Sequence, residues 1–233
     1  MSTAAIQHLQ ALLDQTFKNE PHRILEAGCG SFTHVVIPGE NHITGIDISQ
    51  EQLDKNSKLN EKIKADIQSY SLPENMYDLI ICWDVMEHLP FPAQALQNFK
   101  KAINQTGLII LALPNVYSLK GLITRFTPHW FHVFVYKYIF NKKDAGQPGC
   151  APFPTFLKFE IAPRALLKFA NENNFEVVFL ETEDRFPRII REDKRYLYLA
   201  YVACSHLLKI ISLGTLGGIN NTDFICVLRR KPA

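Results

Sequence analysis

The chain has 233 residues, of which 47% are hydrophobic, and its net charge is +2. One domain of this length can bury a substantial core, and a charge so close to zero does not indicate a nucleic-acid-binding protein. The five cysteines are an odd number and form no Cys-x-x-Cys, which argues against a disulfide framework or a zinc site and indicates a reducing compartment. Met1 is not followed by a basic region and an apolar run, so we expect no signal peptide and a cytoplasmic location.

The first half of the chain alternates apolar strands with helical patterns. We predict helices over residues 4–18, 50–60 and 92–104, and strands over 23–27, 43–47, 62–65, 77–82 and 107–113. Ser49 is expected to cap the second helix, with Gln52 completing a capping box. Pro38 and Gly39 leave room for little more than one helical turn between the first two strands. This alternation predicts an α/β fold with a doubly wound parallel sheet, whose ligands bind at the carboxyl ends of the strands.

Two long insertions interrupt this alternation in the second half of the chain. The first covers about 115–160 and contains a predicted helix at 130–140, followed by a loop rich in Gly and Pro. A helix then begins at Pro163, and Asn174 can close it in the left-handed conformation. Strands are predicted over 175–181 and 223–230, on either side of a second, mostly apolar insertion at about 185–221.

A glycine turn with an acid on each side is the most informative motif. Strand 23–27 runs into Glu26-Ala27-Gly28-Cys29-Gly30, and the next strand ends at Asp47. Glycines let backbone approach a ligand closely, and an acid at the end of the second strand can accept hydrogen bonds from a ribose diol. A dinucleotide fingerprint would have a third glycine where this chain has Thr33, and Glu26 would repel a diphosphate. The motif therefore favours a nucleoside cofactor that carries a cation, such as an amino-acid ammonium group.

The order of the motifs resembles the class I S-adenosylmethionine-dependent methyltransferases, especially the small-molecule type that includes the ubiquinone-biosynthesis enzymes. The resemblance is carried by Glu26-Ala27-Gly28-Cys29-Gly30, Asp47, Lys64-Ala65-Asp66-Ile67, and residues 77–89 and 107–115. It implies a Rossmann-like, mostly parallel seven-stranded sheet, with the last strand antiparallel and paired in a hairpin with strand 6. It also implies one methyltransferase domain over residues 1–233, with both insertions forming a helical cap, and S-adenosyl-L-methionine as the cofactor.

The resemblance assigns cofactor-binding roles to residues at the strand ends. These residues are Glu26, Gly28, Cys29, Gly30, Asp47, Ile48, Asp66, Ile67, Trp83 and Asp84. Asp47 would bind the ribose diol, Glu26 the ammonium group, and Asp66 with Ile67 the adenine. Trp83 and Asp84 would line the pocket, although Trp83 could instead pack beneath a helix.

Three histidines are candidates for a general base or for a group that positions the acceptor. His129 and His132 lie in the first insertion, near the expected mouth of the pocket, and His88 follows the fourth strand. The stretch around His88 recurs in methyltransferases with different acceptors, which favours a structural role for that residue. Lesser acceptor-site candidates are Tyr117, Arg125 and Glu160. Two histidines three residues apart, without a third ligand nearby, do not predict a metal site.

The apolar insertions raise the question of membrane contact. Aromatic residues over 126–140 are flanked by lysines, a pattern that suits a membrane interface and a lid over an apolar substrate equally well. Residues 196–216 are apolar, but the central Lys209 and the need for strand 223–230 to rejoin the sheet argue against a membrane span. We expect a helix packed on the lid or lying in an interface, so peripheral membrane contact stays open.

Methyl transfer to a small or lipid-linked acceptor is the function that these residues favour, with oxygen as the preferred acceptor atom by resemblance. Lipid-linked saccharides and quinone-like phenols are plausible acceptors. The alternatives are an NAD-dependent oxidoreductase, which Thr33 argues against, and a non-catalytic module that binds a nucleoside cofactor. No nucleic-acid partner is expected, because no Pro-Pro-Tyr-type motif follows the fourth strand and the surface is not strongly basic.

Overall fold

The computed structural model describes residues 4–18, 20–31, 35–147, 149–183, 194–216 and 221–231. Seven helices are present in these ranges: α1 (Ala4–Thr16), α2 (Gln50–Lys55), α3 (Pro92–Ala102), α4 (Leu119–Phe126), α5 (His129–Phe134), α6 (Pro163–Glu172) and α7 (Arg195–Ile211). The strands are β1 (Arg23–Ala27), β2 (His42–Asp47), β3 (Glu61–Lys64), β4 (Tyr77–Trp83), β5 (Ile103–Pro114), β6 (Phe175–Glu183) and β7 (Asp223–Arg230). Shorter 3-10 turns cover Met86–His88 and Phe159–Ile161, and a π-helical turn covers Val135–Ile139.

All seven strands form one sheet in the order β3-β2-β1-β4-β5-β7-β6. The pairs from β3 across to β5 are parallel, whereas β7 runs antiparallel to both of its neighbours, β5 and β6. The predicted α/β class, the strand count and the antiparallel last strand are therefore confirmed. Because β1, β2 and β4 are parallel neighbours, their carboxyl ends meet at one edge of the sheet.

Both faces of the sheet are covered, which explains why its central strands are apolar without a polar alternation. On one face, Leu96 and Phe99 of α3 and Leu166 of α6 pack against the sheet residues whose side chains point that way. On the other face, Leu9 and Leu13 of α1 are fully buried against the sheet. Each central strand thus sends alternate side chains into one of two apolar cores.

Local signals predicted some element ends correctly and others incorrectly. The Ser49 hydroxyl caps α2 by accepting from the Gln52 N–H, and Asn174 has φ +59° after α6, both as predicted. However, α2 ends at Lys55 and not near residue 60, because Asn56 is extended and Asn60 is drawn toward β2, where its side-chain oxygen accepts from the Ile43 N–H. α4 was not predicted. The expected helical turn before Pro38 and the Thr33 position fall partly or wholly on residues 32–34, outside the described residues.

Helices of the two insertions contact each other. The described part of the first insertion contains α4 and α5, and that of the second contains α7; residues 185–193 and 217–220 lie outside the description. α4 packs against α7, and the Tyr201 hydroxyl of α7 interacts with the backbone of Lys120 in α4. Within the described ranges, none of the helices combines the length and apolar character that a membrane crossing requires. The name cap is used below for α4, α5 and α7.

An ion pair joins the cap to the sheet. Lys120 Nζ lies 2.9 Å from Asp223 Oδ2 at the start of β7, and the Asp223 side chain is almost completely buried. The Thr222 hydroxyl donates to the same carboxylate oxygen at 2.6 Å. The carboxylate therefore fixes α4 to the edge where β5 and β7 pair.

We expect Asp223→Ala to destabilise the protein by about 2–3 kcal/mol, because it leaves the partly buried Lys120 ammonium without its counter-charge. Urea unfolding followed by circular dichroism measures this loss. Glu172→Ala is the matched control, since it removes an exposed carboxylate 3.8 Å from Lys168 and should change stability by less than about 0.5 kcal/mol. Equal effects of the two substitutions would contradict a structural role for the buried pair.

Candidate functional site

The glycine turn, residues 28–30, leaves the end of β1 and faces the turn that follows β4. Gly28 has φ +71°, and its N–H donates to the Ile46 carbonyl at 2.7 Å. A Cβ built on Gly28 would overlap the Val85 side chain, lying 2.8 Å from its Cγ1. Gly30 has φ +52°, and a Cβ built there would meet no atom of the described residues within 4 Å. The Val85 side chain therefore closes the turn at Gly28, whereas the turn is open at Gly30.

Asp47 at the end of β2 holds this turn in place. Its Oδ2 accepts from the Gly30 N–H at 3.0 Å, and its Oδ1 accepts from the Ser49 N–H at 2.8 Å. A carboxylate can accept about four hydrogen bonds, so each oxygen keeps a further acceptor position. Next to it, Ile48 is 74% exposed, so its side chain presents an apolar surface to solvent. The carboxylate lies beside Gly30, and Ile48 follows it directly in the chain.

Negative charge is concentrated beneath the turn. Glu26 is buried near the end of β1, where it pairs with Gly45 of β2 and Ile81 of β4. Burial, together with the nearby carboxylates of Asp47 and Glu26, raises the pKa of the Cys29 thiol to about 12. Cys29 thus stays a neutral thiol at physiological pH, and the pocket favours a cationic group over an anionic one.

The loop after β3 is ordered around Asp66. The Asp66 carboxylate accepts from the Gln68 backbone N–H at 2.9 Å and from its side-chain amide at 3.0 Å. The Gln68 amide oxygen in turn accepts from the Phe91 N–H before α3. Ile67 is buried in the core, and its carbonyl accepts from the Asn98 side chain at 2.8 Å. Asp66 is therefore exposed and oriented, whereas Ile67 offers only backbone to a ligand.

Trp83 and Asp84 differ in their environment. Trp83 is only 8% exposed and packs in the apolar cluster shared with α1. Asp84 has φ +54°, an uncommon conformation for a residue with a side chain, and its N–H donates to the Ala112 carbonyl. The placement of Trp83 favours the alternative that this side chain packs in the core and does not line the pocket. Asp84 begins the turn that carries Val85 toward Gly28.

His88 connects this turn to the end of the first insertion. Its Nδ1–H donates to the Pro154 carbonyl at 2.7 Å, and its Nε2 lies 3.9 Å from Glu87 Oε1. The Glu87 carbonyl accepts from the backbone N–H groups of Phe156 and Leu157. The contacts hold residues 154–157 against the turn after β4, which agrees with a structural role for His88.

His129 and His132 lie together on α5 in the cap. The Thr127 hydroxyl donates to the Ile123 carbonyl, so its oxygen accepts from His132 Nε2–H at 2.8 Å and the lone pair of His132 is on Nδ1. Burial lowers the pKa of His132, and the neighbouring His129 lowers it further. His132 is therefore a neutral imidazole of fixed orientation at physiological pH.

The structure thus brings most of the predicted cofactor residues to one edge of the sheet and places the histidines in two other locations. The sequence analysis missed two residues that shape this edge of the sheet, Val85 and Gln68. Val85 had no distinguishing signal, because only its contact with Gly28 reveals its role. Gln68 sits two residues after Asp66, and an acid followed at this spacing by an amide could have indicated the turn. Among the described ranges, no group of three or more His, Cys, Asp or Glu side chains is arranged to hold a metal ion.

These residues fit an adenosyl amino acid. The space beside Gly30 is where a Cβ would project, so a ligand can contact the backbone there. The buried Glu26 suits an ammonium group, and the free acceptor positions of Asp47 suit a diol. Shape and charge therefore agree with S-adenosyl-L-methionine.

The profile of a methyltransferase domain family matches residues 1–180, which is most of the chain. The chain belongs to this methyltransferase family. The membership confirms the predicted methyltransferase class, and with it S-adenosyl-L-methionine as the cofactor of the family. The NAD-dependent alternative finds no support in it.

Individual relatives are distant. The chain is 26% identical over 106 residues to a ubiquinone biosynthesis O-methyltransferase of Hydrogenovibrio crunogenus, an alignment that covers 41% of this chain and 44% of that relative, less than half its length. A protein of the same name from Coxiella burnetii is 21% identical over 202 residues, covering 82% of this chain and 80% of that one. A solved S-adenosylmethionine-dependent methyltransferase from Mesorhizobium loti shares the fold at 14% identity and a TM-score of 0.55, covering 98% of this chain and 99% of that one.

Proposed function

We propose that this methyltransferase moves the methyl group of S-adenosyl-L-methionine to a small or lipid-like acceptor, with oxygen as the acceptor atom. The observation that carries the proposal is the open glycine turn at Gly30, held by Asp47, beside the buried acid Glu26. The preference for oxygen rests on two relatives that are named ubiquinone biosynthesis O-methyltransferases. A lipid-like acceptor is supported by the apolar cap.

Different side chains would bind different parts of the cofactor. The Glu26 carboxylate would bind the ammonium group, and Asp47 would accept hydrogen bonds from the ribose hydroxyls. Ile48 would cover the adenine with its exposed side chain, while Asp66 and the Ile67 backbone would bind the adenine edge. When bound, the cofactor supplies a methyl group on a sulfonium, which is already activated for in-line displacement. The protein's own task is then to orient the acceptor and exclude water.

An acceptor hydroxyl must lose a proton, and the hydrogen bonds favour His132 as the base over His88 and His129. His132 is oriented by Thr127 and presents its Nδ1 lone pair, and its lowered pKa keeps it neutral. His88 would instead position the loop around Pro154. His129 is exposed, and its role would be limited to lowering the pKa of the neighbouring His132.

This assignment predicts the pH dependence of catalysis. A histidine base works only when neutral, so kcat should fall as the pH drops through the pKa of His132, with a midpoint below the usual value of about 6.5. His132→Asn should remove this acidic limb and lower kcat by about 10²–10⁴-fold. His88→Asn is the matched control. If the limb persists in His132→Asn and disappears in His88→Asn, the assignment to His132 is wrong.

Calorimetric titration tests the cofactor part of the proposal. Purified protein is titrated in parallel with S-adenosylmethionine, S-adenosylhomocysteine and NAD. We expect binding in the micromolar range, about −8 kcal/mol, for the two adenosyl ligands and no binding of NAD. Absence of adenosyl binding would favour the non-catalytic alternative, and NAD binding alone would favour the oxidoreductase.

Transfer of a labelled methyl group tests the acceptor. Quinone-like phenols and lipid-linked saccharides are offered as hydroxyl acceptors, and primary amines of similar size serve as the control. Label in the phenol or saccharide fraction is the expected result. Label found only on amines would overturn the preference for oxygen and leave the methyltransferase class intact.

A further inference from the structure

Helix α7 exposes an apolar face that no described part of the protein covers. Tyr196, Leu199, Leu207 and Ile210 are exposed, and their spacing of three, eight and three residues places them on one side of the helix. The opposite side packs inward, with Ser205 fully buried. A helix that is apolar all round is normally covered on all sides, so this outer face is an incomplete contact.

A second row of exposed aromatic side chains lies on the first insertion. Trp130, Phe134 and Tyr138 follow one another at intervals of four residues along α5 and the π-helical turn, and all three are exposed. The rings of Phe134 and Tyr138 are 4.9 Å apart. Large apolar rings held together at a surface are typical of an interaction site and not of ordinary solvent exposure.

The charges around both rows are mostly positive, and the exposed Asp144, directly after Lys143, is an exception. Residues 119–143 and 194–216 together hold eight of the 25 Lys and Arg residues and none of the 23 Asp and Glu residues, so the rest of the chain has 17 basic and 23 acidic residues and a net charge of −6. Lys137, Lys142 and Lys143 are exposed beside the aromatic row, and Arg195 and Lys209 are exposed on α7. Apart from Lys120, which pairs with Asp223, these cations add positive charge to the apolar surface.

We propose that the cap docks on the surface of an anionic lipid bilayer through the outer face of α7 and the aromatic row of α5. Aromatic and aliphatic side chains enter the boundary between headgroups and acyl chains, while long basic side chains reach the lipid phosphates. Because the rest of the chain is acidic, the positive charge of the cap would orient the protein with the cap toward the membrane. The proposal goes beyond the proposed function, because docking requires neither cofactor nor acceptor.

Tryptophan fluorescence and co-sedimentation with vesicles test the docking. The chain has two tryptophans, of which Trp130 is 68% exposed in the aromatic row and Trp83 is buried in the core. Vesicles of phosphatidylcholine with about 30% phosphatidylglycerol should bind the protein and shift its emission to the blue, and pure phosphatidylcholine should bind at least about tenfold less. Trp130→Phe should abolish the shift and keep co-sedimentation.

Two substitutions of equal charge separate the cap surface from a general effect of charge. Ile210→Glu places a carboxylate on the outer face of α7, where the native side chain is 72% exposed, and should weaken vesicle binding by at least about tenfold. Val36→Glu adds the same charge at a 74% exposed position outside the cap and should leave binding nearly unchanged. Circular dichroism checks that both variants fold.

Other outcomes overturn the proposal. Wild-type protein that ignores both kinds of vesicle, or Ile210→Glu that binds as well as wild type, would exclude the cap as a lipid-binding surface. A dimer seen by sedimentation velocity in the wild type and abolished in Ile210→Glu, without vesicle binding, would assign the surface to a second copy of the chain. Calorimetry with S-adenosylhomocysteine is unaffected by any of these results, so the proposed function stands or falls separately.

Discussion

Asp47→Ala is expected to weaken binding of S-adenosylhomocysteine by at least about 30-fold, which is about 2 kcal/mol. The substitution removes two things at once. The ribose diol loses a charged hydrogen-bond acceptor, and the Gly30 N–H loses the carboxylate that holds the glycine turn beside the ligand. Calorimetric titration gives the affinity. Circular dichroism should show a folded protein, because no buried core side chain is removed.

Asp54→Ala is the matched control for this loss. Asp54 is an exposed carboxylate on α2, seven residues further along the same segment, and its side chain accepts a hydrogen bond from the Gln50 amide at 2.9 Å. The control should bind the cofactor as wild type does. If Asp47→Ala also keeps the wild-type affinity, the assignment of the cofactor to this edge of the sheet is wrong.

Gly28→Ala is expected to destabilise the protein by about 2–5 kcal/mol. An alanine at φ +71° costs about 1–2 kcal/mol in backbone strain, and its methyl group would overlap the Val85 side chain, which adds about 1–3 kcal/mol. Urea unfolding measures the loss. Cofactor affinity should fall as well, because the turn cannot keep its position against Val85.

Gly30→Ala separates the cost of backbone strain from the cost of steric overlap with a neighbouring side chain. This glycine also has a positive φ, but its Cβ would meet no atom in the part of the chain that the structure describes, so only the strain of about 1–2 kcal/mol is expected. Affinity for S-adenosylhomocysteine should nevertheless fall, because the methyl group fills the space beside the turn. The double substitution Gly28→Ala with Val85→Ala should recover part of the stability. No recovery would mean that Val85 is not the limiting neighbour.

Neighbouring residues were enough to predict most of the fold. Apolar runs of about five residues between glycines and prolines marked the strands, and the spacing of apolar residues in α1 and α3 marked the helices. The errors lie at the ends of helices and strands, because contacts with residues distant in sequence decide where an element begins or stops. β5 begins at Ile103 and not at 107, and α2 stops early because Asn60 binds β2. These outcomes depend on partners that no local window contains.

The cofactor residues were easier to predict than the catalytic ones. Glycines and acids at the ends of consecutive parallel strands must meet at one edge of the sheet, so their order alone indicates a shared site. No comparable rule of strand order locates a general base, because no residue pattern near the base identifies the acceptor. The candidate histidines became distinguishable only through their contacts, Pro154 for His88 and Thr127 for His132.

The sequence by itself determined the class of fold, the strand that carries each acid and the glycine turn between them, because these depend on residue types at short spacing. Only the tertiary structure decided that Val85 closes the turn at Gly28, that Lys120 joins the cap to Asp223, and that no described residue covers the outer face of α7. These features join residues up to about a hundred positions apart, and such contacts form only when the sheet brings the segments together.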